Sequence, residues 1–206
     1  MAEDRRTRRT RRALGGALVE LVLERGFGAL TVEDITERGD VARATFYAHF
    51  KGKDDLFARV TRDLLDELAQ RLEPVMADSA VGFTGKPVLE MLRHVTDERD
   101  TYRAVLRGEG DGKPLQMFMD ACSAYAAREF KARAERNDVQ PRIDADLLAR
   151  VWVGEQVAVL RWWAEQDAPP VPAEEAVRML LDLALRGRYW ASGFPGPDVP
   201  APDGSA

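Results

Sequence analysis

Between positions 43 and 53 the chain sets out Arg43, Ala44, Thr45, Tyr47, His49, Lys51 and Lys53. Most of these side chains carry hydrogen-bond donors; none pairs a nucleophile with a base, and none belongs to a metal-ligand cluster. The chemistry they suit is the gripping of fixed acceptors. Arg43 has the forked guanidinium that matches a guanine edge. Ala44 is small enough to permit close approach, and Thr45 offers a hydroxyl and a methyl that suit a phosphate or a thymine methyl. Tyr47 and His49 suit phosphate oxygens, which set register without reading sequence. Lys51 and Lys53 flank the start of a long helical pattern, where free N–H groups and the helix dipole attract a phosphate.

These residues need a rigid mount, and the surrounding sequence provides one. Thr31-Val32-Glu33-Asp34 has the form of a capping box that opens a short helix, with Val32 and Ile35 on its inner face. Gly39-Asp40 marks a stop and a turn. A second short helix follows over 42–49, its Phe46 placed four residues before Phe50 so that both bury. Upstream, Leu14, Leu18, Leu21 and Val22 keep one face of a first helix, and Gly26 is placed as its left-handed stop. Gly15-Gly16 inside that helix costs about 1 kcal/mol per glycine, and marks either a close helix contact or fraying. Two short helices at an angle on such a scaffold form a helix-turn-helix, whose second helix lies in the DNA major groove.

The remainder also reads as helix. A long pattern covers 53–78, interrupted by Pro74, which is expected to kink or end its regular part. Further helices are expected at 87–98, 100–107, 113–137, 143–167 and 173–191, separated by Gly- and Pro-rich breaks. The fold class is therefore all-α, with an N-terminal three-helix DNA-binding domain at 8–68 that holds the helix-turn-helix at 31–50. A larger helical domain is expected at 69–192, to which the family resemblance set out below assigns effector binding and dimerisation, and a Pro/Gly-rich disordered tail at 193–206.

Composition narrows the alternatives. The net charge is −5 over 206 residues, yet residues 1–62 hold 13 Lys and Arg against 10 Asp and Glu, while the rest holds 17 against 25. A cationic head on an acidic body suits an anionic partner at one end, although a solvated, frayed tail would explain the Arg-rich start alone. One cysteine, Cys122, excludes an intrachain disulfide framework and fits a reducing, cytoplasmic setting. No apolar run reaches the roughly 20 residues that span a bilayer. With only His49, His94 and Cys122 available, no catalytic or metal constellation forms, so no enzyme, metal or cofactor is expected.

The stretch TVEDITERGDVARATFYAHFKGKDDLF closely resembles the signature of TetR-family transcriptional regulators, and the likeness reaches back through Leu14–Phe27. It departs from the family pattern at Ala42, where a serine usually caps the second helix. The resemblance implies a homodimer on double-stranded DNA with a two-fold operator, Thr31, Arg43, Ala44, Thr45, Tyr47, His49, Lys51 and Lys53 forming the DNA-binding set. It implies pairing of the last two helices with those of a second copy. The sequence agrees, with Ile143, Leu147, Val151, Gly154, Ala158 and Trp162 on one stripe and Val177, Leu180, Leu181, Ala184 and Gly187 on another. Burial within a monomer core would explain either stripe alone.

The resemblance further implies a small lipophilic effector among the middle helices, with lining candidates Met91, His94, Val95, Tyr102, Leu106, Phe118, Met119, Cys122, Tyr125, Trp152 and Gln156. For most such residues plain core packing is the competing explanation. The implied function is a repressor released from a palindromic operator. An activator, an effector-independent regulator, or a helical ligand-binding or adaptor module with vestigial DNA binding would carry much of the same pattern.

Overall fold

A computed structural model describes residues 2–78 and 85–191, with side chains at 5–76 and 85–184. The regular elements among the described residues are all helical: α1 (Ala2–Arg25), α2 (Val32–Arg38), α3 (Arg43–His49), α4 (Lys53–Asp78), α5 (Lys86–Asp97), α6 (Arg99–Leu106), α7 (Lys113–Arg136), α8 (Ala145–Glu165) and α9 (Ala173–Ala191), with a 3-10 turn at Phe27–Ala29. The tail at 193–206 lies outside the described residues. No described helix is long and apolar enough to cross a membrane.

The head forms because α1, α2, α3 and the start of α4 each offer one apolar face. Leu14, Leu18, Leu21 and Val22 from α1 meet Ile35, Phe46, Phe50, Leu56 and Phe57, all fully or nearly fully buried. At Gly15 an added Cβ would lie 3.2 Å from the Val60 methyl, so this glycine lets α1 and α4 approach; Gly16 has open space and no such reason. The α2–α3 turn divides its duties. Asp40 takes the left-handed conformation at φ 48°, whereas Gly39 keeps an ordinary right-handed φ. Gly39 is needed for space, since a Cβ there would stand 3.1 Å from the Ile35 carbonyl and 3.4 Å from that of Ala13.

α4 runs unbroken from the head into the body, and remains helical past Pro74 to Asp78. In the body α7 packs most extensively on α8, while α4, α5 and α6 close the remaining sides and α9 rests chiefly on α5. Proline in the first turn of α5 and of α7 follows a left-handed glycine that precedes each helix, Gly85 at φ 71° and Gly112 at φ 74°. At α8 the Asp144 carboxylate accepts from the Asp146 and Leu147 N–H groups, both at 3.0 Å.

His94, Val95, Tyr102, Leu106 and Phe118, expected around a ligand, instead form the packed centre of the body. His94 Nδ1 lies 2.8 Å from the Tyr102 hydroxyl, and the Tyr102 ring meets Phe118 edge-on at 5.8 Å. Burial, aided by the nearby Arg71 charge, lowers the His94 pKa to about 4. Folding thus holds this imidazole neutral, while the unfolded chain protonates it near its ordinary value of 6.5. As pH falls from about 6.5 to about 4, the unfolded state takes up the extra proton and stability declines, by roughly 2 kcal/mol from this group. Urea midpoints across that range should fall more steeply for the natural protein than for His94→Asn. Parallel profiles would remove His94 as the source.

Candidate nucleic-acid interface and interior cavity

The outward face of α3 begins with how the helix is held. Phe46 is completely buried and Phe50 nearly so, their ring centroids 5.7 Å apart. Two anchors one turn apart fix both the rotation and the depth of a seven-residue helix too short to be stable alone. The faces left over belong to Arg43, Ala44 and Tyr47, which are exposed, and to Thr45 and His49, which are half-buried. Tyr47 is 50% exposed and meets Phe46 edge-on at 5.4 Å, and the Arg43 guanidinium stands 5.8 Å from the Tyr47 ring centre. Lys51 is also exposed, beside the start of α4, where its backbone N–H donates to Asp55 at 3.0 Å.

Thr31 and Lys53, expected to meet DNA, are also tied into the scaffold. The Thr31 hydroxyl donates to the Asp34 carboxylate at 2.6 Å and accepts the Asp34 N–H at 3.1 Å, while its own N–H donates to Asp34 at 2.8 Å. That is the capping box read in the sequence, and these bonds from Thr31 hold the Asp34 carboxyl below its ordinary range. The Lys53 ammonium donates to the Phe27 and Leu30 carbonyls at 2.9 and 2.8 Å and sits 4.5 Å from the Phe27 ring centre. α2 is tied to α1 by Arg38, whose guanidinium takes both Glu24 oxygens at 2.8 and 2.9 Å and Glu20 at 3.0 Å.

The head meets the body at the same turn. Glu109, in the loop after α6, accepts the Phe27 N–H at 2.9 Å, and Gly110 lies against the Phe27 and Phe57 rings. Sequence reading missed Glu109. It sits in a glycine-rich break, and nothing in periodicity links positions 82 residues apart.

A cavity of about 390 Å³ opens in the body between α4, α5, α7, α8 and α9. Of the eleven lining candidates, Met91, Cys122, Tyr125, Trp152 and Gln156 border it; Met119 does not, and the other five lie in the core described above. The walls that sequence reading missed come from α4, with Leu65, Leu68, Leu72 and Met76, and from Phe130 on α7. The apolar stripe on α9 also borders the cavity, from buried Val177 to exposed Ala184. Val177, Leu180, Leu181 and Ala184, expected at a subunit interface, line this cavity, and Gly187 falls outside the residues with described side chains.

The stripe on α8 points the other way. Leu147 is 55% exposed, Val151 64% and Trp162 44%, with Ala158 exposed and Gly154 half-buried along the same line and Ile143 exposed just before the helix. α8 also buries Ala149, Val153, Leu160 and Trp163. It is therefore apolar on two faces, only one of which the protomer uses.

Residues 16–60 match the family model described as bacterial regulatory proteins of the tetR family, and residues 86–185 match that of a transcriptional regulator C-terminal region. An HTH-type transcriptional repressor of Mycobacterium tuberculosis is 30% identical over 167 residues, covering 79% of this chain and 78% of the relative. The repressor DhaR of a Mycobacterium species is 24% identical over 172 residues, covering 74% and 81%. A crystal structure described as a putative TetR-family regulator from Syntrophomonas wolfei superposes with a TM-score of 0.70 at 17% identity, covering 92% of this chain and 98% of that one.

Two substitutions test the mount. α3 starts at Ala42 without a side-chain cap, so Ala42→Ser should stabilise the protein by about 1 kcal/mol, raising Tm by about 2–4 °C. Lys53→Met keeps the stem but strands two carbonyls, and chemical denaturation should show a loss of about 1–2 kcal/mol. An unchanged midpoint would mean those bonds contribute nothing net.

Proposed function

Since this chain belongs to the TetR family of bacterial regulatory proteins, and is on that ground a DNA-binding transcriptional regulator and not an enzyme, we propose that it is a repressor that binds a two-fold operator as a homodimer and leaves it when a small lipophilic molecule fills the cavity. The observation that carries the reading is the outward face of α3. Phe46 and Phe50 are sunk in the core, and Arg43, Ala44 and Tyr47 are left facing solvent.

On this reading Arg43 reads a base edge, and Ala44 lets the helix sit deep in the groove. Thr45 lies beside the bases, and Tyr47, His49 and Lys51 hold phosphates. Both named relatives are repressors, which supports repression over activation. The unused apolar face of α8, from Leu147 to Trp162, supports pairing with a second copy, because a contiguous exposed patch of this kind marks an association surface. Two heads on a two-fold axis call for two half-sites whose spacing mirrors the dimer.

Release follows from α4. Its first turns supply Leu56 and Phe57 to the head core, and its later turns supply Leu65, Leu68 and Leu72 to the cavity wall. A ligand that repositions those leucines shifts the helix to which the head is anchored. It would favour the dimer geometry that no longer spans both half-sites, by the ratio of its affinities for the two geometries.

Arg43→Ala should weaken operator binding by about 1–3 kcal/mol and relax preference at one position of each half-site. Lys51→Ala should weaken all sequences alike and lower the salt slope by about 1. Fluorescence anisotropy on operator and scrambled duplexes separates the two, and equal losses for both mutants on both duplexes would overturn Arg43 as the base reader. Sedimentation should show a dimer that Val151→Glu dissociates; a natural protein that sediments as a monomer at micromolar concentration would end the two-fold reading.

A further inference from the structure

The cavity lining includes a buried amide whose oxygen has no partner. Gln156, on α8, is only 5% exposed and lines the space, yet its Oε1 is buried without a hydrogen-bond partner. Such a group is rare in folded proteins, where buried polar atoms are nearly always paired. Several residues that share this lining are uncharged. Met91 and Trp152 are uncharged, and Cys122 is a neutral thiol whose pKa burial pushes up to about 12.

The ionised groups that border the cavity are balanced in number: Asp66, Glu129 and Glu155 against Arg128, Arg133 and Arg136. All six are half-buried or exposed, so no charge is fully buried with Gln156. The ligand's chemistry follows from this arrangement. A carboxylate seated against Gln156 would lose its hydration without gaining a buried cation, and could pair only with the amide nitrogen, leaving Oε1 unsatisfied. An ammonium would meet no buried carboxylate. An alkane would leave the amide as unsatisfied as before.

We propose that the cavity takes a mainly apolar ligand bearing one uncharged group that both donates and accepts, a hydroxyl or a carboxamide, seated against Gln156. This rests on the reading of the cavity as the effector site. The terminal torsion of glutamine is broad, so the amide can present its oxygen or its nitrogen, and a group of both kinds satisfies either orientation.

The test uses four probes of equal chain length, 1-decanol, decanamide, decanoate and decylammonium, titrated calorimetrically into the full chain at about pH 7.5. Decanol and decanamide should bind roughly tenfold more tightly than the two ions, a margin on the scale of one hydrogen bond. Gln156→Leu should erase most of that margin while leaving the ions little changed, and Gln156→Met should do the same. An ion that binds most tightly, a margin that survives both variants, or no binding by any probe would overturn the proposal. The ranking on the unmodified protein decides even where a variant fails to fold. Operator release, followed with the same probes, separates the two readings. Gln156-dependent binding that leaves DNA bound keeps the ligand chemistry and removes the effector role. Release by decanoate regardless of Gln156 does the reverse.

Discussion

The turn at Phe27–Leu30 is held from two directions, and the head's relation to the body depends on it. From α4, Lys53 gives its ammonium to the Phe27 and Leu30 carbonyls. From the loop after α6, Glu109 takes the Phe27 N–H. A short turn carries more free backbone groups than it can pair by itself, and here a cation and an anion each satisfy part of the deficit. Because Thr31 follows at once and caps α2, the turn also fixes where the helix-turn-helix begins. A displacement of α4 or of the α6–α7 loop therefore reaches α2 through hydrogen bonds with little slack.

The same geometry explains why α4 is unbroken. A helix that belonged only to the head would stop after Leu64, and one that belonged only to the body would have no reason to carry Lys53. Its apolar face instead passes from Leu56 and Phe57 through Leu64 and Leu68 to Leu72 without changing side. The interior proline does not end it, since the helix continues to Asp78.

Much of this was legible in the sequence. Helix positions follow from 3.6-residue periodicity and from Gly and Pro breaks, and the described helices agree with them to within about two residues, apart from α1, which begins near the N-terminus. The capping box at Thr31 and the inward pair Phe46 and Phe50 were readable because both are local. What periodicity cannot say is which partner an apolar face meets. The stripes on α8 and α9 look alike as strings, yet Leu147 and Val151 stand in solvent while Val177, Leu180 and Leu181 wall a cavity. Likewise a Met or aromatic residue at helical spacing is equally suited to core and cavity. His94 Nδ1 and the Tyr102 hydroxyl pair across eight residues, whereas Gln156 Oε1 has no partner. Lys53 shows a third gap: its charge was visible in the sequence, whereas its reach back to the Phe27 and Leu30 carbonyls was not.

α9 rests chiefly on α5, and contributes four residues to the cavity wall. Within a protomer, a helix with a single main neighbour is the segment whose local opening requires least free energy. If this helix lifts, the cavity opens to solvent while the α7–α8 packing at the centre stays intact, and amide exchange along 173–184 would report that opening.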